Sequence, residues 1–347
     1  KYMSNQPPIE VPQGAIRLNT DSQKLEFYAQ DRWFEMATDV PTLGGGGDAN
    51  SSGFASGGGR GLIAGDNPTS NEIEYFTIPT QGNAIDFGDM TRNSFLGASG
   101  SSRTRAVMMG GDAGPGGRVD NIDFVTMAST GDASDFGDLA TNNGHAAGVS
   151  NQTRAMICGG GNSSGALNSI EFITIATTGN ALDFGDTLAA NQQQGGTQSP
   201  TRGLLFGGNP RADSTIELFT IASTGNTSDF GDLHLLGTSL MGSCLSSPVR
   251  AIVAGGANPG IKQNIEYVTI ASTGNSTNFG NMTTSRDQLY SNSDSIRGVL
   301  SGGQNPSTLN SMEYIKIMSE GNGVNFGDLT SAKKNGFDSM GTSHGGL

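Results

Sequence analysis

The residues with the most capacity for chemistry are pairs of aspartates in a recurring tetrapeptide. Asp-Phe-Gly-Asp stands at 86–89, 135–138, 183–186 and 229–232. One such tetrapeptide could hold the magnesium ion of a phosphoryl-transfer site. That chemistry also needs a phosphate-pairing lysine and a catalytic-loop aspartate in motifs of their own, and the sequence has neither. The paired carboxylates could contribute to a Ca²⁺ site, but a hard cation takes six or more oxygens, and no metal site is expected. A group repeated at even intervals along a chain serves architecture rather than one reaction.

Other reactive side chains are scattered. His145, His234 and His344 fall at unmatched positions in different stretches and offer no convergent ligand set. Cys158 and Cys244 are too few for a disulfide framework and read as unpaired thiols buried in strands. No nucleophile elbow, GxxxxGK[ST] loop or zinc spacing occurs, and the glycines around Gly57 read as turn or linker. Triplets such as Asn226-Thr227-Ser228 follow from a chain rich in Ser, Thr and Asn. Glycoside hydrolysis needs two carboxylates about 5–10 Å apart in a cleft, which the many aspartates leave open as a minor alternative. The expectation is a protein that is not an enzyme and needs no cofactor.

Composition narrows the partners. The 347 residues include 54 glycines and only 15% charged side chains, with a net charge of −13. Such a chain lacks the positive field that holds nucleic acid or an anionic membrane surface. No run approaches the roughly 20 apolar residues of a membrane span, so no insertion is expected. The opening residues Lys1-Tyr2-Met3-Ser4-Asn5 have no signal-peptide pattern, and a start at Lys1 leaves room for residues upstream.

A strict internal repeat must position all these groups. Arg-led aliphatic segments ending in glycine begin at Arg60, Arg105, Arg154, Arg202, Arg250 and Arg297. Each is followed by a segment such as Ile265-Glu266-Tyr267-Val268-Thr269-Ile270, then by a glycine-containing turn, then by a phenylalanine (Phe87, Phe136, Phe184, Phe230, Phe279, Phe326). Alternation puts Ile265, Tyr267 and Thr269 on one face and Glu266, Val268 and Ile270 on the other, so the strand needs cover on both sides. Small sheets stacked around an axis supply that cover. The turn glycines Gly82, Gly131, Gly179, Gly225, Gly274 and Gly321 sit where positive φ is expected. A fourth strand per unit is placed between the Phe block and the next Arg, for example over Ser94–Ser99 or Ser239–Cys244. Six units of four strands from residue 54 to 347 predict an all-β, six-bladed propeller. Residues 336–340 or residues 53–56 could close the ring.

In this topology the Arg opening strand two and the Asp opening strand four share one end of a blade. Ion pairs are therefore expected for Arg105 with Asp135, Arg154 with Asp183 and Arg202 with Asp229. Asn278 replaces the Asp opposite Arg250 and tests the idea. The connections between strands two and three, and between strand four and the next strand one, lie at the other end. They vary most between units: 112–121, 161–169, 209–214, 257–264, 304–311 and Gln192-Gln193-Gln194. Variable loops on a rigid frame suit recognition. The candidate ligand-binding residues are Asp112, Arg118, Asn162, Asn209, Arg211, Asn258, Lys262 and Gln304.

The Gly-Gly doublet ending strand two, the aromatic in strand three and the bulky aromatic in strand four resemble the kelch repeat over about 290 residues. The sequence departs from that family in having Phe where strand four usually carries Trp, and Gly65-Asp66 in place of the first doublet. Propeller oxidases need converging His and Tyr ligands for copper, and nothing here suggests them.

The N-terminal residues 1–41 differ in kind. Gly14–Asn19, Lys24–Tyr28 and Trp33–Met36, separated by polar turns, read as a small antiparallel meander that must dock or trimerise to be stable. Residues 42–53, with Gly44 to Gly47, form a flexible linker. The stretch from Gly14 to Met36 resembles a segment of bacteriophage tail-fibre and related virion proteins. The TIASTGN and DFGDL repeats are similar to those of structural proteins of marine phages. The resemblance implies a virion protein, made in the host cytoplasm, whose residues 1–41 attach to other virion proteins, with a homo-oligomer such as a trimer expected. Its propeller would then meet a host-surface glycan or protein. The alternative is a structural virion component that uses the propeller for packing.

Overall fold

The computed structural model describes residues 14–19, 24–29, 32–35, 59–210, 214–235, 243–257 and 260–347. The chain divides into Lys1–Leu43 and Gly44–Leu347. In the first unit, strands Ile16–Asn19, Lys24–Ala29 and Arg32–Glu35 form the expected antiparallel meander. Arg17 lies over the Trp33 ring at 4.1 Å and pairs with Glu26 at 2.7 Å. Residues 42–53 and the glycines around Gly57 up to Gly58 lie outside the described residues.

The second unit is a six-bladed β-propeller of four-stranded antiparallel sheets. Blade one consists of Phe337–Gly341, Arg60–Ala64, Glu72–Thr77 and Ile85–Asp89, so the C-terminal strand closes the ring. Blade two is Ala98–Ser101, Arg105–Met109, Asn121–Thr126 and Ser134–Asp138. The next four blades repeat this order, with innermost strands Ala147–Ser150, Gly195–Gln198, Ser243–Ser246 and Tyr290–Ser293. Strand one therefore starts about four residues later than the sequence suggested. Residues 94–97 belong instead to the connection from strand four, and that shift forms the axial site described below.

The apolar residues make six separate cores, one at each interface between neighbouring blades. Phe87, Leu62 and Met90 of blade one pack with Met108, Val125 and Met127 of blade two. Ile63, Phe76 and Ile78 of blade one pack with Tyr290, Val299 and Leu329 at the seam with blade six. A sheet covered on both faces needs no polar side, which is why the strands read as apolar throughout.

The repeated tetrapeptide is a bulge. In every blade the register between strands three and four shifts at the Phe, which turns inward and is buried. Its carbonyl then faces the next blade. The turn glycine there donates to it, as Gly131 N does to Phe87 O at 2.7 Å and Gly82 N to Phe326 O at 3.2 Å. Two residues on, Asp89 N donates to Asp132 Oδ1 at 3.1 Å and Asp138 N to Asn180 Oδ1 at 3.1 Å. The outer edge of each blade is thereby covered by the turn of its neighbour, which removes a liability of exposed strand edges.

The expected Arg–Asp pairs do not form. Arg105 lies over Phe124 at 4.7 Å and donates to the carbonyls of Ile175 and Ala176 in the next blade, both at 3.0 Å. Arg154 donates to Ile221 O at 2.9 Å, and Arg202 to Ile270 O and Ala271 O at 2.8 and 2.9 Å. Asp135, Asp183 and Asp229 are exposed on the outer strand. The physical reason lies in register: Arg105 stands opposite Thr126, whereas Asp135 stands opposite Asp123, further along the sheet. A desolvated guanidinium gains more from an aromatic face and carbonyls than from a solvated carboxylate, whose pairing is worth about 0–1 kcal/mol. Arg250, with no Asp to lose, makes the same contact to Ile317 O.

At the opposite end, the acidic residue of strand three is buried and holds the preceding blade. Asp123 accepts from Thr91 N at 2.9 Å, Glu171 from Ala140 N at 2.8 Å and Glu217 from Leu188 N at 3.0 Å. Glu74 accepts from Thr330 N at 3.2 Å across the seam.

Candidate functional site

The connections from strand four to the next strand one converge on the axis, on the variable-loop face. Each of the five described connections carries one residue with left-handed backbone although it is not glycine: Leu96, His145, Gln193, Gln288 and Asn335, with φ between 55° and 62°. These positions correspond in their repeats. They are linked in sequence around the axis by backbone hydrogen bonds, Leu96 N to Asn335 O at 2.7 Å, His145 N to Leu96 O at 2.5 Å, Gln193 N to His145 O at 2.7 Å and Asn335 N to Gln288 O at 3.0 Å. Strained backbone of this kind costs of order 1–3 kcal/mol per residue and gathers where a site is built.

The ring surrounds a cup of about 90 Å³, open on this face, lined by those five residues together with Ala146, Gln194, Leu289, Cys244 and several glycines. The glycine doublets position the rim. Gly111 N donates to Asn143 O at 2.7 Å and Gly160 N to Asn191 O at 2.8 Å, and both glycines have positive φ. Blade one lacks the doublet, and the Asp66 carboxylate serves instead by accepting from Lys334 N at 2.9 Å.

Of the residues singled out from the sequence, Asp112, Arg118 and Asn162 meet beside His145. Arg118 bridges Asp112 through the backbone and donates to Asn162 O and Gln192 Oε1, both at 3.1 Å. Asn209 pairs by backbone with Gln192, and Gln304 with Asp287, so both hold rim connections in place. Lys262 anchors its loop through its backbone and stands apart from the lining. Arg211 and Asn258 lie outside the described residues. The lining residues Leu96, Gln288 and Asn335 were not singled out, because a left-handed residue has no compositional mark when it is not glycine. His145 falls at an unmatched repeat position, so the sequence gives it no role.

Burial pushes the His145 imidazole down to about 4, with the Arg118 charge adding to the effect and Asp112 opposing it. The ring is thus neutral near pH 7 and its Nδ1 has no partner. Burial likewise raises the Asp287 carboxyl above its ordinary range. Among the described residues no Asp or Glu lines the cup, and no group of three His, Cys, Asp or Glu could hold a metal ion.

The fold and site together define a six-bladed β-propeller with a dead-end polar cup on its axis. No family model and no curated protein matches the chain.

Proposed function

We propose that the protein is a recognition module of the bacteriophage tail-fibre kind, whose propeller presents the axial cup and its variable rim to a host-surface glycan. The observation that carries this reading is the cup itself. Amides, an uncharged imidazole and apolar side chains surround it, while ionised side chains stay outside. Such a lining suits hydroxyl groups and the C–H faces of sugars better than an ion or a reacting bond. The likeness of residues 14–36 to virion segments supports attachment through residues 1–41, and several copies on a particle would multiply weak affinities.

The test is competition by the purified full chain for adsorption of the phage that carries it. Dose-dependent loss of adsorption is expected, and unchanged adsorption at saturating protein would overturn the reading.

A second reading, a structural virion component, draws on a different place. Val249, Ile296 and Met318 are each about half exposed on the turn face of blades five and six. The corresponding positions of the first four blades carry polar or small residues such as Thr104, Thr153 and Ala176. Burial of that patch against another virion protein would favour packing over adhesion.

A further inference from the structure

We infer that the rim of the cup takes the negatively charged substituent of an acidic sugar, held on the guanidinium of Arg118. This rests on the glycan-recognition reading and adds the class of sugar and the residue that selects it.

Departures from the repeat gather at Arg118, in a part of the rim made wholly of described residues. The loops after strand two carry Asn-Pro at 67–68, 209–210, 258–259 and 305–306, in blades one, four, five and six, whereas those of the neighbouring blades two and three do not. The pairing position that Arg118 fills opposite Asp112 holds Ala166, Ile261 and Thr308 in blades three, five and six, so the fold needs no cation there. The Arg118 side chain lies over two glycines that stand where other blades carry side chains. A Cβ on Gly144, the counterpart of Phe95, Gln192 and Asp287, would lie 3.3 Å from Arg118 Cγ. One on Gly161, the counterpart of Asp112, Asn209 and Gln304, would lie 2.5 Å from Arg118 Nη1. A cation has been added and the space for it cleared.

The guanidinium is held by neutral oxygens, Asn162 O and Gln192 Oε1, and makes no ion pair among the described residues. The Asp112 carboxylate is committed to Gly114 N at 2.8 Å. A guanidinium has more N–H donors than its two bonds use, in a planar fork that matches a carboxylate or a phosphate. In a chain of net charge −13, a half-buried cation without a counter-ion on the recognition face attracts an anionic ligand. Burial, and after it the Arg118 charge, push the His145 imidazole down, with Asp112 opposing, so the field of the cation reaches the cup lining. The other end of the axis is stopped by the C-terminal tail. His344 is buried there, with Nε2 at 2.9 Å from Ser101 O and Nδ1 accepting from Gly346 N and Gln198 Nε2, both at 3.1 Å. A sugar therefore enters from the variable-loop face, with its ring in the neutral cup and its charged substituent at the rim.

The experiment is calorimetric titration of the full chain, at constant ionic strength, with three pairs of sugars and with sodium sulfate. The pairs are methyl glucoside and methyl glucuronide, methyl galactoside and methyl galacturonide, and glucose and glucose 6-phosphate, so that the arms distinguish a carboxylate from a phosphate ester. In at least one pair the acidic member is expected to bind about tenfold more tightly than its neutral partner, the scale of a charged hydrogen bond. Arg118→Gln is expected to remove that advantage and leave the neutral member's affinity unchanged. Gly161→Ala, which crowds the guanidinium without removing its charge, is expected to reduce the advantage as well. If Arg118→Gln also weakens the neutral member, Gly161→Ala decides, and an undiminished advantage there overturns the inference. Equal binding within every pair, an acid advantage that survives Arg118→Gln, or sulfate bound as tightly as the acidic sugars would overturn the inference and leave glycan recognition standing. Failure of every sugar overturns it too, and unchanged phage adsorption then removes the glycan reading with it.

Discussion

Arg297 of the last blade donates from Nη1 to the carbonyl oxygen of Pro79 in the first at 2.8 Å, with a second bond to Ile78 O at 3.2 Å. It is the seam copy of a contact made at all six interfaces, where Arg60, Arg105, Arg154, Arg202 and Arg250 each reach forward one blade. Charged donors to carbonyls are worth about 1.5–3 kcal/mol, with a further contribution from the aromatic face beneath most of them. Arg105→Ala is therefore expected to lower stability by about 2–3 kcal/mol in urea unfolding. Asp135→Ala, which removes an exposed carboxylate, should change it by no more than about 0.5 kcal/mol. Equal losses for the two would restore the ion pair expected from the sequence.

The outer lock between blades gives a sharper contrast. Gly131 and Gly137 both have positive φ, near 150°. A Cβ on Gly131 would meet nothing, whereas one on Gly137 would lie 2.5 Å from Gly179 O. Gly131→Ala should cost about 1 kcal/mol for backbone strain alone. Gly137→Ala should cost about 1–3 kcal/mol more, because the neighbouring turn has to move. Similar thermal midpoints for the two variants would mean that the turn is free to shift.

Which parts of this arrangement the sequence discloses follows from where the information sits. The strands are legible because Ile265, Val268 and Ile270 alternate in a register that repeats six times, whereas the tetrapeptide reads as architectural without disclosing that it is a bulge. The Arg contact is not legible: its partners are carbonyl oxygens, which every residue has. The cup is hidden for a related reason. Leu96, His145, Gln193, Gln288 and Asn335 share a backbone conformation and a place on the axis, but no side-chain type. Variability drew attention to the outer loops, whereas the site lies where those loops hold the inner connections.

Among the described connections, those leaving blades five and six carry a cation under the rim, Arg286 and Lys333. Arg286 is buried against Glu313, while the corresponding residues of blades two and three are Asn143 and Asn191. Those neutral residues donate to Gly159 O and Gly207 O, both at 2.8 Å, as Arg286 does to Gly302 O at 3.0 Å, while Glu171 and Glu217 accept from the backbone N–H groups of Ala140 and Leu188. Arg286→Leu leaves Glu313 buried and unpaired, at an expected cost of about 3–5 kcal/mol. Arg286→Asn restores the arrangement of the earlier blades and should cost clearly less. A urea series on the two variants separates them, and identical losses would show that volume rather than charge decides.

The axial plug makes stability depend on pH through His344. Burial pushes its imidazole down to about 4 from an ordinary 6.5, so the folded protein keeps the ring neutral. Above pH 6.5 both states are neutral and the plug contributes in full. As pH falls toward 4 the unfolded chain takes up a proton that the folded chain refuses, and stability drops by about 3 kcal/mol in all. His145 falls in the same window with the same sign. The carboxyls of Asp66, Asp287 and Asp294, which burial raises, act the other way near the ordinary carboxylate range. Comparison of the parent with His344→Gln removes those shared contributions, since the variant changes only the plug. The difference in urea midpoint between the two should change steadily from pH 7 to pH 4.5, in the sense that the parent loses more. A constant difference across that range would mean that the ring titrates freely in the folded state, and that the tail does not hold the axis closed.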